Sequence, residues 1–271
     1  MALRSVQTVI LGAMLVGLAA CASPYTVAKP GTINRPIDTV WIGGDKFIYV
    51  PGPAARNFTF RTAHNDRVIA PGLMYTDGGS IPRAIQAFKG FSPWGYGPAY
   101  IVHDWIFYAR HCYVDARNDD LRRYDDVVRF RDVQSAVGYG DDDFNSSAIV
   151  LAEVVRSLID TEQVQDSVVP ATLISSAVDS VFARALWDKQ GSCEGSRVRP
   201  EHIAIVWVRY NDASGPPPPT WKLSSWEIGE ARRFVTQARC LVRTVGRKDG
   251  PRRCPGPALL RELAMGATTG N

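Results

Sequence analysis

TDGGSIPRAIQAFKGFSPWGYGPAYIVHDWIFYAR, residues 76–110, decides how the rest of the chain reads. It joins an acidic glycine turn, a short helix, a Trp-bearing Gly/Pro loop and a long apolar helix. Ser80 is placed to cap a helix over Ile81–Phe88, with Pro82 in the first turn, where a missing N–H donor costs nothing. Lys89–Gly97 is rich in Gly, with Pro93 and Trp94, and reads as a loop. Pro98 then opens a helix that ends near Cys112.

Between Tyr100 and Ala109 this helix has no polar side other than His103 and Asp104, so most of it must be buried. A buried carboxylate requires a cation, a metal ion or several donors, and a buried imidazole must satisfy both ring nitrogens. Consecutive helical residues project about 100° apart. His103 and Asp104 are therefore expected to line two sides of one groove rather than to face each other. That division suits a hydrolase with His103 as general base on water and Asp104 as an oxygen ligand of Ca²⁺, helped by carbonyls of the Asp77-Gly78-Gly79 turn. The same residues also suit a purely structural knot, in which Asp77 accepts from its own turn, Arg83 pairs with Asp104 and His103 bonds a loop carbonyl.

Upstream, Thr39–Ile42, Phe47–Val50, Phe58–Arg61 and Arg67–Ala70 are short β-branched or aromatic runs separated by Gly, Pro and Asn, which predicts a small antiparallel sheet. Downstream, Tyr113–Gly140 alternates acidic and basic residues and reads as a surface excursion, with a helix over part of Asp120–Val137. Asp143 and its neighbours precede an amphipathic helix over Phe144–Leu158. A second long helix is expected from Val168 or Pro170 to Lys189. His202–Tyr210, HIAIVWVRY, reads as a strand; Pro216–Pro219 force an extended connector; Trp226–Val242 reads as a helix and Pro257–Met265 as a short one.

The fold expected is thus α+β: a small N-terminal antiparallel sheet packed on a helical core, with a C-terminal strand-helix appendage. Residues 1–20 lie outside it, because Arg4 precedes an apolar run, Val9–Ala20, that is too short for a stable transmembrane anchor. They read as an export signal. Residues 21–38 are polar with three prolines and read as a tether, 39–190 as the main domain and 191–271 as the appendage.

The signal ends in Leu18-Ala19-Ala20-Cys21, which resembles the lipobox of bacterial lipoproteins. That resemblance implies that Cys21 becomes the acylated first residue of the mature chain, carrying palmitate or a similar fatty acid. Ala22 and Ser23 follow it rather than an Asp, which implies an outer-membrane anchor facing the periplasm. Cys112, Cys193, Cys240 and Cys254 remain, an even number in an oxidising compartment. Three disulfide pairings are open; proximity favours Cys240 with Cys254, leaving Cys112 with Cys193. No spacing suggests zinc, and free thiols are the other reading.

Basic residues exceed acidic ones by 31 to 27, too little to name a partner. The C-terminal cluster Arg232–Arg253 offers contact with anionic lipid or envelope glycan, and an exported chain is not expected to bind nucleic acid. HExxH, GxSxG, P-loop and Cys-x-x-Cys motifs are absent from the sequence.

TDGGSIPR followed by SPW and PAYIVHDWIF resembles the domain-of-unknown-function family DUF 1353 of phage and bacterial proteins, over roughly Phe47–Leu158. The family implies no settled activity. The order is similar, more loosely, to prokaryotic phospholipases A2, which pair an Asp-Gly turn with a His-Asp helix and a second helix whose acid orients the His. That likeness implies His103 as base, Asp104 at calcium, and Glu153 or Asp143 as the orienting acid, since Ile149 stands where the acid is sought. The resulting expectation is an envelope lipoprotein with a structural or binding role and no cofactor, or alternatively a calcium-dependent ester hydrolase.

Overall fold

The structure, a computed structural model, describes residues 23–34, 36–43, 46–63, 66–76, 95–114, 143–164, 168–191, 193–211, 213–244 and 254. The chain enters through a short helix, α1 (Pro24–Val27), capped by Ser23, whose hydroxyl accepts from the Tyr25 N–H. Two three-stranded antiparallel sheets follow. One has the order β1-β4-β5, from Thr32–Ile33, Phe60–Arg61 and Val68–Ile69. The other has the order β2-β3-β6, from Thr39–Gly43, Lys46–Tyr49 and Met74–Thr76.

The helices are α2 (Gly97–Val114), α3 (Asp143–Asp160), α4 (Val168–Val178), α5 (Val181–Trp187), α6 (Cys193–Ser196), α7 (Pro200–Asn211) and α8 (Ser225–Thr244). The mixed α+β architecture therefore holds, with small N-terminal sheets packed on helices. The β2-β3-β6 sheet separates two cores, and the period of two decides which residue goes where. Tyr49 and Met74 face a core with Phe60, Ile69, Trp105, Ile149 and Leu151, while Val40, Ile48 and Leu73 face a second core with Ile203, Val206, Trp207 and Trp221. Gly72 lets the chain pass Trp105 closely, since a Cβ there would come within 2.8 Å of the indole.

Four expectations need correction. Residues 202–210 are helical, inside α7, not a strand. Ile203, Ala204, Val206, Trp207 and Val208 are all buried because α7 is covered by the sheet on one side and α8 on the other, so its apolar run shows no clean helical period. The missed signal was Pro200 at the helix start with Glu201 behind it. For the same reason the C-terminal segment is not an appendage: it closes the second face of the β2-β3-β6 sheet, and Trp221 Nε1 donates to the Pro51 carbonyl at 3.0 Å.

The stretch expected as a tether belongs to the fold from Ser23 onward. Tyr25 is buried, its ring lies 4.2 Å from the Arg156 guanidinium and its carbonyl accepts from both Arg156 Nε and Nη2. The long helix expected up to Lys189 is broken at Asp179-Ser180, where the Ser180 hydroxyl accepts from the Ala183 N–H and starts α5. The helices expected over Ile81–Phe88, within Asp120–Val137 and over Pro257–Met265 lie outside the described residues.

Both favoured disulfides are formed. Cys112–Cys193 ties the end of α2 to the start of α6, and Cys240–Cys254 ties α8 to the residues beyond it. Ser224 and Glu227 form a reciprocal cap on α8: the carboxylate accepts from the Ser224 N–H at 2.7 Å and the Ser224 hydroxyl accepts from the Glu227 N–H at 3.2 Å. Arg197 lies 3.4 Å from the same carboxylate, which is almost fully buried.

Candidate functional site

The sequence of α2 leaves it no outward polar face, so it buries itself between the sheets and α3 and carries His103 and Asp104 inward. Asp104 Oδ2 accepts a 2.7 Å hydrogen bond from the Thr76 hydroxyl at the end of β6. Its Oδ1 lies 3.8 Å from His103 Nδ1. The two side chains were expected on separate sides of a groove, but their ends bend toward each other across the 100° between them. The His103 ring lies tilted against Phe107 with ring centroids 4.5 Å apart, and its Nε2 is buried with no hydrogen-bond partner among the described residues.

Tyr100 lies one helical turn before Asp104. Burial, then the neighbouring Tyr96 and the Asp104 charge, push the Tyr100 hydroxyl far above the ordinary phenol range, so it stays protonated. The group is therefore one carboxylate that accepts from the Thr76 hydroxyl, lies beside the His103 imidazole and acts electrostatically on the Tyr100 phenol.

Of the two acids expected to orient His103, the structure describes the side chain of Glu153 alone. Glu153 is fully buried on α3, and its Oε2 accepts from the Ala63 N–H at 3.0 Å, holding the turn between β4 and β5. Asp143 begins α3, and its side chain lies outside the described residues, as do Asp77, Gly78, Gly79 and Arg83. Ile149 sits fully buried in the core. Among the described residues, no three of His, Cys, Asp and Glu gather as a metal-holding group. Of the residues expected around calcium, only Asp104 lies among the described ones.

A second polar group was missed entirely. Tyr75, next to Thr76 but on the opposite face of β6, bonds His202 Nδ1 at 2.7 Å and accepts from the Arg199 N–H at 3.0 Å. Since the phenol oxygen already accepts, its O–H donates to Nδ1, and the ring proton belongs on Nε2, which is buried without a partner. Burial, then the charges of Arg199 and Lys46, lower the His202 pKa to about 4. Burial raises that of Tyr75 to about 12. Near neutrality His202 is therefore uncharged and Tyr75 protonated. The run Met74-Tyr75-Thr76, β-branched and aromatic just before the glycine turn, was the available sequence signal for β6.

His111 donates from Nε2 to the Leu186 carbonyl at 2.8 Å, so it joins α2 to α5. In the basic C-terminal cluster, Arg232 lies 5.8 Å from the Trp207 ring centre and Arg233 pairs with Glu230 at 3.1 Å. Arg247, Lys248, Arg252 and Arg253 lie outside the described residues.

Fold and site together define an α+β domain whose central helix turns a His-Asp pair toward the end of a β-strand. Residues 54–139 match the family model described as a protein of unknown function, DUF1353. The matched segment contains Thr76, His103 and Asp104 and stops short of α3, so Glu153 lies beyond it. No curated protein matches the chain. No solved structure matches it either.

Proposed function

We propose that the protein is an envelope lipoprotein, held by fatty acid on Cys21 at the periplasmic face of the outer membrane, with a structural or binding role. One observation carries the reading. Of the five cysteines, four are spent in Cys112–Cys193 and Cys240–Cys254, and the fifth is Cys21, which closes an apolar leader in a lipobox-like sequence. Paired cysteines fit an oxidising compartment. The test is mass spectrometry of the N-terminal peptide from the full chain expressed in a Gram-negative host, with gradient separation of its two membranes. Fatty acid on Cys21, lost in Cys21→Ala, and outer-membrane migration are expected; an unmodified or internally cleaved Cys21 overturns the reading.

The buried, unpartnered Nε2 of His103 favours a second reading, an ester hydrolase with His103 as base. Against it, Asp104 already engages Thr76 and Glu153 holds the Ala63 turn. Release of fatty acid from phospholipid that His103→Ala abolishes, with the fold intact, would establish it.

A further inference from the structure

An ordinary surface helix turns its charges outward and its apolar residues in. The helices α4 and α5 bury Ala171, Ile174 and Trp187 and yet are apolar on their outer side as well. The charged residues among 171–187 are Asp179 and Arg184. Asp179 Oδ1 accepts from Asn145 Nδ2 on α3 at 3.0 Å, and the Arg184 guanidinium lies 4.4 Å from the Phe144 ring centre, so both are turned toward α3. The outward positions are apolar: Leu173 is 45% exposed, Val181 78%, Phe182 81% and Leu186 55%, with Ala177 and Ala185 also exposed. Single exposed apolar residues are unremarkable in proteins, but several of them side by side on one outward surface mark an interaction site.

The course of the N-terminus identifies what covers it. α1 packs against α4, and the fold begins at Ser23, which caps α1 and is itself buried. One residue, Ala22, separates Cys21 from Ser23, so the two Cα atoms lie within about 7 Å at full extension. A lipid carried by Cys21 is thereby held within that reach of Ser23 and of α1, which packs against α4. We propose that the outward surface of α4 and α5 is seated in the phospholipid leaflet that receives the Cys21 acyl chains, with Phe182 and Leu186 among the acyl tails. The proposal rests on the lipoprotein reading and adds to it a second contact and a fixed orientation. Because the contact is apolar, it does not depend on salt.

The test uses the acylated full-length product reconstituted into vesicles of phosphatidylethanolamine and phosphatidylglycerol, with and without bromine on the acyl chains. Phe182→Trp and Leu186→Trp add one emitter each at exposed positions that do not threaten folding. The emission each adds over the parent protein is expected to be blue-shifted and strongly quenched by brominated lipid, equally at low and high salt. Unquenched emission at the wavelength of a hydrated indole overturns the proposal. Unquenched but blue-shifted emission also overturns it, since protein then covers the surface, whether a second copy or another part of the chain. N-terminal mass spectrometry on the same sample separates the two ideas: an acylated Cys21 with unquenched Trp leaves the anchor standing and removes the docking, whereas an unacylated Cys21 removes both.

Discussion

Thr76 donates its hydroxyl proton to Asp104 across 2.7 Å, joining the last residue of β6 to the middle of α2. This bond carries strand geometry into the polar group of the helix. A hydrogen bond to a carboxylate in a mostly apolar setting is among the stronger kinds.

Thr76→Val keeps the shape and removes the donor. The expected cost is about 1–3 kcal/mol of stability, seen as a fall of roughly 3–10 °C in melting temperature. Thr76→Ser should recover most of it. Equal melting temperatures for all three proteins would mean that Asp104 is served fully by other donors.

Calcium is expected to leave the melting temperature unchanged up to millimolar concentrations, because Asp104 and Glu153 already accept from protein donors. A calcium-dependent rise of several degrees that disappears in Asp104→Asn would restore the metal-hydrolase reading.

His202 makes stability depend on pH. Its folded pKa, about 4, lies below the ordinary 6.5. The unfolded chain therefore binds the proton more readily, and stability is full above about 6.5, falls as pH drops toward 4, and levels off below. The span corresponds to something on the order of 3 kcal/mol. The groups facing His202 are Tyr75, Arg199 and Lys46, with Glu201 acting through Tyr75. Urea unfolding at pH 7, 5.5 and 4 should show this slope in the parent protein and a reduced slope in His202→Gln.

The buried pair Arg197–Glu227 serves the α8 cap as well as a charge. Glu227→Ala removes both and takes the carboxylate away from Arg197, and should cost about 3–5 kcal/mol. Glu227→Gln keeps the capping acceptor and should cost clearly less. Denaturant midpoints of the two variants decide the point.

The two disulfides are expected to differ in weight. Cys112–Cys193 spans 81 residues and Cys240–Cys254 spans 14. Chain-entropy arguments then assign about 4–5 kcal/mol to the first and about 3 kcal/mol to the second. The Cys112→Ala/Cys193→Ala double variant should melt at the lower temperature in thermal scans.

Local signals were readable where one face of an element is wet or one residue has a narrow use. Asp143 and Ser225 begin helices where the periodicity placed them within a residue or so, and β2 and β3 fall where β-branched and aromatic runs stand between glycines. The inward course of His103 and Asp104 was readable too, because α2 offers them no polar neighbours. α7 was misread because burial on two sides erases the period that tells helix from strand. Thr76 was missed because nothing near it in sequence announces a partner 28 residues away.

The chain's own order of residues was enough to determine that α2 must be buried with its two polar groups and to favour the pairing of the four bonded cysteines. Hydrophobic patterning and proximity along the chain act locally and leave their mark in the string of residues. Which donor meets Asp104, that Glu153 serves the Ala63 turn rather than His103, and that α4 and α5 turn their apolar sides outward were decided only by tertiary structure. Those outcomes depend on how separate elements are oriented against one another, and packing sets that orientation among residues far apart in sequence.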